Sequence, residues 1–504
     1  MLARLATFAI DGVNPRQVWV EVDIRDGLPT FTIVGLADMA VRESRDRVRA
    51  AILNSGFDFP RTRITANLAP AFLRKVGPGF DAALALGILA ASGQVPAAEL
   101  RSFAVFGELS LTGEFRDSPG ALAVAEGAIG AGLTRLIVPQ HRAQEAALVD
   151  GLQVVAAGTL REAADVVAGG HPPPLPPRSG HSPAAPGPDL ADIRGHRTPL
   201  MALQIAAAGG HNLLLEGAPG TGKTMLARRL PSILPPMSRT EAIEVTRIHS
   251  IAGLHAHGLI EQRPFRAPHH TISAAGLVGG GSPPRAGEAT LAHHGVLFLD
   301  ELSEFPRPSL EALRQPLEDG SVMIVRSQHA LVLPTRFILA AATNPCPCGF
   351  AGVGDRCRCG EADLRRHRRR LSGPLLDRMD LLVNVERPSE ADLTAPPMIS
   401  SAAGAGLVAE ARERQRARYT PDGPRCNGEL DARSLTRHAQ LDSAAERVLA
   451  RAYAVGALSA RGRHRVVRVA RTIADLAASQ QVREEHVLTA LSLRQRSASE
   501  ALAA

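Results

Sequence analysis

Residues 212–230 read NLLLEGAPGTGKTMLARRL: a short apolar run, a glycine-rich turn and the start of a helical pattern. Within it, Gly217, Ala218, Pro219, Gly220, Thr221, Gly222, Lys223 and Thr224 fit G-x4-G-K-[ST]. The glycines let successive backbone N–H groups converge on phosphate oxygens, and the helix that follows points its positive end at the same place. Lys223 then reaches the β- and γ-phosphates of ATP, and the Thr224 hydroxyl ligates Mg²⁺. Of 57 basic residues only two are lysines, Lys75 and Lys223. A planar guanidinium fits a phosphate cradle less well than a compact ammonium, which explains a lysine kept at 223. Strand, loop and helix stand in the order this chemistry needs.

Two further apolar runs end in polar residues suited to the same site. HHGVLFLDELSEF (293–305) is a buried-strand pattern closed by Asp300 and Glu301. Asp300 is placed to hold the Mg²⁺ shell and Glu301 to polarise an attacking water. RFILAAATNP (336–345) ends in Asn344, whose amide can orient that water or bond the γ-phosphate. The same Asn-Pro pair also reads as a simple turn. Arg378 in SGPLLDRMDLLV and Arg461 in LSARGRHRVVRVARTIADL are arginines that could supply transition-state charge. Spacing alone does not select them among the chain's other arginines.

Working outward, 504 residues exceed one core and call for two to four domains. The proline- and glycine-rich stretch 169–190 is a semi-extended linker, which sets off an N-terminal domain over 1–168. Alternating strands and helices over 191–386 predict an α/β core with a mostly parallel sheet. Residues 387–504 read as a small all-helical domain. No apolar run reaches the roughly 18 residues of a membrane helix, and the N-terminus lacks a secretory pattern. A cytoplasmic location with no membrane partner is expected. The net charge of +7 permits a nucleic-acid partner without requiring one.

Cysteine is rare here, yet four of five cysteines fall in NPCPCGFAGVGDRCRCG, residues 344–360. Cys346, Cys348, Cys357 and Cys359 can satisfy tetrahedral Zn²⁺ across the loop 346–359. Reduced free thiols, redox disulfides and an iron–sulfur cluster are alternatives on ligand identity alone. The basic run Arg365-Arg366-His367-Arg368-Arg369-Arg370 follows, either a phosphate contact or a solvated helix face.

Taken in order, GAPGTGKT, VLFLDEL, AAATNPCPCG, SGPLLDRMD and SARGxxR resemble an AAA+ ATPase, and more narrowly the ComM/YifB group of magnesium-chelatase-like ATPases. The segments 205–217 and 263–302 carry this likeness most specifically. The resemblance implies that Asn344 senses the γ-phosphate, that Arg378 is an arginine finger acting in trans, and that Arg461 is a second sensor in a helical lid. It implies a homo-hexameric ring and an ATP-driven DNA translocase or helicase promoting branch migration of recombination intermediates, as in natural transformation. Branched or single-stranded DNA would be the partner. Residues 318–336 would form a pore hairpin with Arg326 as a DNA contact, and two β-rich runs around SQH suit a hairpin independently. A chelatase-type or regulatory motor acting on a protein partner is the competing function.

The N-terminal domain resembles the Lon-protease-like α+β domain, chiefly over 106–128. Gly79 stands where that family has its nucleophilic serine, and Leu122 where it has its lysine. With neither nucleophile nor base, peptidase activity is not expected. Lys75, close by in sequence, reads as a surface charge.

Overall fold

The computed structural model describes all residues except 37, 78, 177–186, 256–257, 282–283, 327–328, 353–355, 371–372, 421–422, 457 and 495–504; the side chains of 326, 329, 368, 373 and 374 are likewise not described. The expected DNA contact of Arg326, the Arg368 side chain of the basic run and residues 177–186 of the proline-rich linker therefore lie outside what is described. The chain divides into two compact units, Met1–Pro183 with Arg239–Ile260, and Ala184–Ser238 with Glu261–Ala504. Each is built on its own sheet.

The N-terminal unit begins with long strands whose side chains alternate between two buried faces. The strands are β1 (Leu2–Asp11), β2 (Asn14–Arg25), β3 (Thr30–Val34), β4 (Arg63–Ala69), β5 (Phe103–Val105), β6 (Arg135–Pro139) and β7 (Gln153–Ala157). Their order is β3-β4-β2-β1-β5-β6-β7, with β2 antiparallel to β1 and β4, and β1, β5, β6 and β7 parallel. Leu5, Val20 and Val22 join one core, and Ala6 and Phe8 the other. The period-2 alternation thus sets a sheet between two helical layers. The helix Asp81–Ala91 is buried along its whole length.

The segment Arg239–Ile260, expected within the 191–386 core, belongs to this N-terminal unit. The reason is a buried polar clamp. Ser250 Oγ on the helix Arg239–Ile251 accepts from Gly120 N–H at 3.0 Å and donates to the fully buried Glu145. Arg247 Nη1 lies 2.9 Å from Glu126. Lys75 also departs from its expected surface place. It is completely buried, and its Nζ donates to the Pro70 carbonyl, which gives the buried ammonium a partner.

The second unit holds β8 (Leu213–Glu216), β9 (Phe265–Arg266), the short pair β10 (Gly279–Gly280) and β11 (Arg285–Ala286), β12 (Val296–Leu299), the hairpin β13 (Ser321–Arg326) and β14 (His329–Pro334), β15 (Ile338–Thr343) and β16 (Leu381–Asn384). Five strands make one parallel sheet in the order β16-β8-β15-β12-β9. β12 and β15 are buried at every residue, as a sheet covered on both faces requires. The hairpin expected over 318–336 is present, pairing Met323 with Val332.

Beyond the sheet the chain is helical, with helices Ser401–Arg418, Ala432–His438, Ser443–Ala454, Ala460–Leu476 and Glu484–Ser492. Ser400, Asp431, Asp442 and Ser459 each cap the helix that follows by accepting a first-turn N–H. Val408, Val466 and Val487 share a core with Leu213 and Phe298, so these helices and the sheet form one body. No helix among the described residues is long and apolar enough to cross a membrane.

Candidate functional site

In a parallel sheet the carboxyl ends of the strands open onto one crevice. Here β8, β15 and β12 are neighbours, so the glycine-rich turn, Asn344 and Asp300 emerge side by side. Gly220 and Gly222 take φ of 77° and 88°, the left-handed region that glycine enters without strain. Gly217 has no space for a side chain, since a Cβ would lie 2.3 Å from the Val385 carbonyl oxygen. The helix Lys223–Ala227 starts directly after this turn.

Four polar side chains meet there. Lys223 Nζ donates to the carbonyls of Gly217 at 2.6 Å and Ala218 at 2.9 Å, and to Asn344 Oδ1 at 3.1 Å. Burial lowers its pKa, against the pull of Asp300, Glu216 and Glu301. Thr224 Oγ1 donates to Asp300 Oδ2 at 2.6 Å. A hydroxyl and a carboxylate oxygen converging in this way are the oxygen donors a hard cation takes, so the residues present fit Mg²⁺.

Glu301 adopts φ 53°, a strained conformation for a residue with a side chain. Its carboxylate lies 3.5 Å from His270 Nδ1, a neighbour the sequence reading did not single out. His196 was also missed. It lines a cavity of ≈ 380 Å³ with Pro199, Asn384 and Asp392, and a Cβ on Gly222 would lie 3.5 Å from its Nε2. The cavity therefore adjoins the phosphate loop.

The two candidate arginines do not converge on this crevice. Arg378 is buried, its backbone carbonyl accepts from Asn212 Nδ2 at 3.1 Å, and its guanidinium pairs with Glu318. Asn212 precedes β8, whose other end carries the phosphate loop, so the Arg378 backbone sits at the opposite end of the strands, about 13 Å away along β8. Arg461 is exposed in the first turn of the helix Ala460–Leu476. One turn on, Arg465 makes an ion pair of 3.1 Å with the buried Asp380. Burial alone would raise the Asp380 carboxyl, but His211 at 3.7 Å, with Arg465 and Arg468, holds it down at about 2.

The four cysteines of the loop come together. Sγ separations are 3.3 Å for Cys346–Cys348, 3.8 Å for Cys346–Cys357 and 3.7 Å for Cys348–Cys357, and all four sulfurs lie within 4.8 Å of one another. These distances are far beyond a disulfide bond. Four convergent thiols can hold a metal ion. Backbone N–H groups of Phe350, then Arg358, favour the Cys348 thiolate and lower its pKa to about 6. Arg365, Arg366, Arg369 and Arg370 are exposed along the helix Glu361–Arg370, with Arg370 3.3 Å from Glu304.

At the Lon-like positions the N-terminal unit is closed. A Cβ on Gly79 would fall 2.6 Å from Phe106 Cε2, and Leu122 is fully buried with its N–H bonded to Glu145 at 2.8 Å.

The sequence matches the family described as "Magnesium chelatase, subunit ChlI" over residues 189–393, with the ChlI C-terminal family over 398–494 and a further ChlI match over 20–142. It is 42% identical to YifB of Escherichia coli over 496 residues, spanning 98% of this chain and 97% of YifB. The competence protein ComM of Haemophilus influenzae is 41% identical over 506 residues, again 98% of this chain and 97% of that protein. The chain belongs to the magnesium-chelatase-like ComM/YifB family of AAA+ proteins. In this ComM/YifB chain the Lon likeness is partial: Lon protease 2 of Bacillus subtilis is 29% identical over 141 residues.

Proposed function

We propose that this ComM/YifB chain hydrolyses ATP and works in the cytoplasm as a homo-hexameric DNA translocase that promotes branch migration of recombination intermediates. The observation that carries the ATPase reading is the meeting of Lys223, Thr224, Asp300 and Asn344 at adjacent strand ends. Lys223 exchanges its carbonyl partners for phosphate oxygens, and the backbone N–H groups of the glycine turn hold the remainder of the polyphosphate. Thr224 and Asp300 would hold Mg²⁺, which when bound would supply positive charge against the polyphosphate. Glu301 accepts the proton of the attacking water, and Asn344 orients that water through its amide. Arg378 lies at the far end of its own strands from the phosphate loop, so as a finger it would act on a neighbouring subunit's ATP, its buried guanidinium exchanging Glu318 for phosphate. Arg461, exposed in the first turn of its helix and away from this crevice, keeps the second-sensor role only as the family likeness implies it.

The DNA reading rests on the β13–β14 hairpin and the exposed arginines of the helix Glu361–Arg370. A protein-remodelling motor is the second reading. It is favoured by the exposed Met323, Val325 and Val332 on one face of the hairpin, an apolar patch that suits protein better than phosphate. ATP-dependent migration of a synthetic four-way junction decides between them, with Glu301→Gln as the hydrolysis-deficient control. Product from wild type alone supports the DNA motor; ATP turnover with an unmoved junction overturns it in favour of a protein load. The thiolate cluster is assigned zinc in this reading.

A further inference from the structure

The cysteine loop touches the ATP site. Cys346 follows Asn344 by two residues and is fully buried. Gly349, next after Cys348, has φ 85°, and a Cβ there would lie 2.6 Å from Pro219 Cδ, 2.7 Å from Pro219 Cγ and 3.9 Å from Asn344 Cγ. The loop backbone is thus inserted against both the phosphate loop and the Asn344 side chain. From the other side, His367 Nε2 is 2.9 Å from the Asn344 carbonyl oxygen.

What fixes this loop is the cluster itself. Among its described residues from 346 to 360, only Cys346 and Gly349 are buried, so the loop has no apolar core of its own. Zinc–sulfur bonds of about 2.3 Å at tetrahedral angles put sulfurs about 3.8 Å apart. Two of the three measured separations, 3.8 and 3.7 Å, match that edge. The Ala351 N–H donates to Cys346 Sγ at 3.2 Å, the kind of outer hydrogen bond that orients a metal-bound thiolate. Four sulfurs confined within 4.8 Å leave room for one ion rather than a multi-iron cluster.

We propose that one zinc ion on Cys346, Cys348, Cys357 and Cys359 is a working part of the ATPase centre: by closing this loop it seats Gly349 on Pro219 and fixes the Asn344 amide, so that metal occupancy sets the rate of ATP hydrolysis. The inference rests on the ATPase reading above. Its mechanism is positional. A closed loop has fewer conformations from which Asn344 must be recruited, and a displacement of about 1 Å at a water-orienting group costs on the order of a hundredfold in rate.

The test uses the full chain, stripped of metal by a chelator under reducing conditions and then reloaded with Zn²⁺ or Co²⁺. The expected result is one zinc per chain, a thiolate-to-cobalt charge-transfer spectrum, and kcat about ten- to a hundredfold lower in stripped protein, restored by Zn²⁺. Gly349→Ala serves as the second variant should stripping unfold the protein. It should keep zinc and the cobalt spectrum yet lose kcat, because its new methyl displaces Pro219. Absence of metal and of the cobalt spectrum overturns the site. Bound zinc, with kcat and KM unchanged both on stripping and in Gly349→Ala, overturns the coupling. Unchanged turnover in Lys223→Ala would instead sink the ATPase reading, whatever the metal content.

Discussion

The two units use parallel strands and covering helices in similar ways, but they treat charge oppositely. In the second unit the strand ends present Lys223, Thr224, Asp300 and Asn344 to one another around a glycine turn. In the N-terminal unit, charged side chains are locked into the interior. Asp81 is fully buried 2.8 Å from Arg47, Glu145 is fully buried beside Arg142, and Lys75 is spent on a carbonyl. At Gly79 the ring of Phe106 fills the space a nucleophile would need. Strand ends become a reactive site when their polar groups, half-exposed around a glycine turn, can exchange their partners for a ligand's; where such groups are sealed in the interior, the same architecture is a scaffold.

The sharpest way to break this comparison is Lys223→Ala. Turnover should fall by at least about 10³-fold with the fold retained, measured as phosphate release alongside a thermal melt. Persistence of activity would mean that the second unit is as closed as the first. Arg378→Ala should cost about 10³-fold in kcat while leaving ATP affinity of the chain near wild type, because the residue lies at the far end of its own strands from the phosphate loop. Loss of nucleotide binding in that variant would place it in its own site instead.

A smaller effect is expected where the second unit does close its charges. Asp380 is held at about 2, below the 3.8 it has when exposed, so its ionised form stabilises the fold above pH 4 and that contribution is lost as pH falls toward 2. Asp380→Asn should therefore lower stability at pH 7 by about 2 kcal/mol, and its deficit relative to wild type should shrink between pH 4 and pH 2. Denaturant titrations across that range check both sign and size. Smallest of all, Gly79→Ser should lower the stability of the N-terminal unit by about 1 kcal/mol or more through overpacking on Phe106. It should create no peptidase activity and leave ATP turnover intact. A gain of peptide cleavage would show that the unit is a dormant site rather than a scaffold.

The residues around the glycine-rich turn were legible because each is local: an apolar run, then a polar group at its end, three times over. The hairpin was legible for the same reason, two β-rich runs flanking a polar turn. The buried networks were not. Glu145 and Ser250 are 105 positions apart, and nothing in either neighbourhood announces the other, so the helix Arg239–Ile251 read as part of the core. Asp380 and Arg465 are 85 apart, and the signal that existed was the second arginine of SARGxxR, one helical turn beyond Arg461. Lys75 read as surface because a lone lysine usually is, and its burial depends on a carbonyl presented by Pro70. His270 and His196 lie in segments with no periodic pattern, where only the folded backbone brings them to Glu301 and Gly222.

The central claim is that an open site in one subunit is completed by a neighbour's Arg378. It is tested most directly by mixing Lys223→Ala and Arg378→Ala proteins, each inactive alone, and measuring ATP turnover. Pairing an intact phosphate loop from one variant with an intact Arg378 from the other predicts that the mixture regains turnover. A mixture as inactive as its parts, in rings shown to contain both variants, would contradict it.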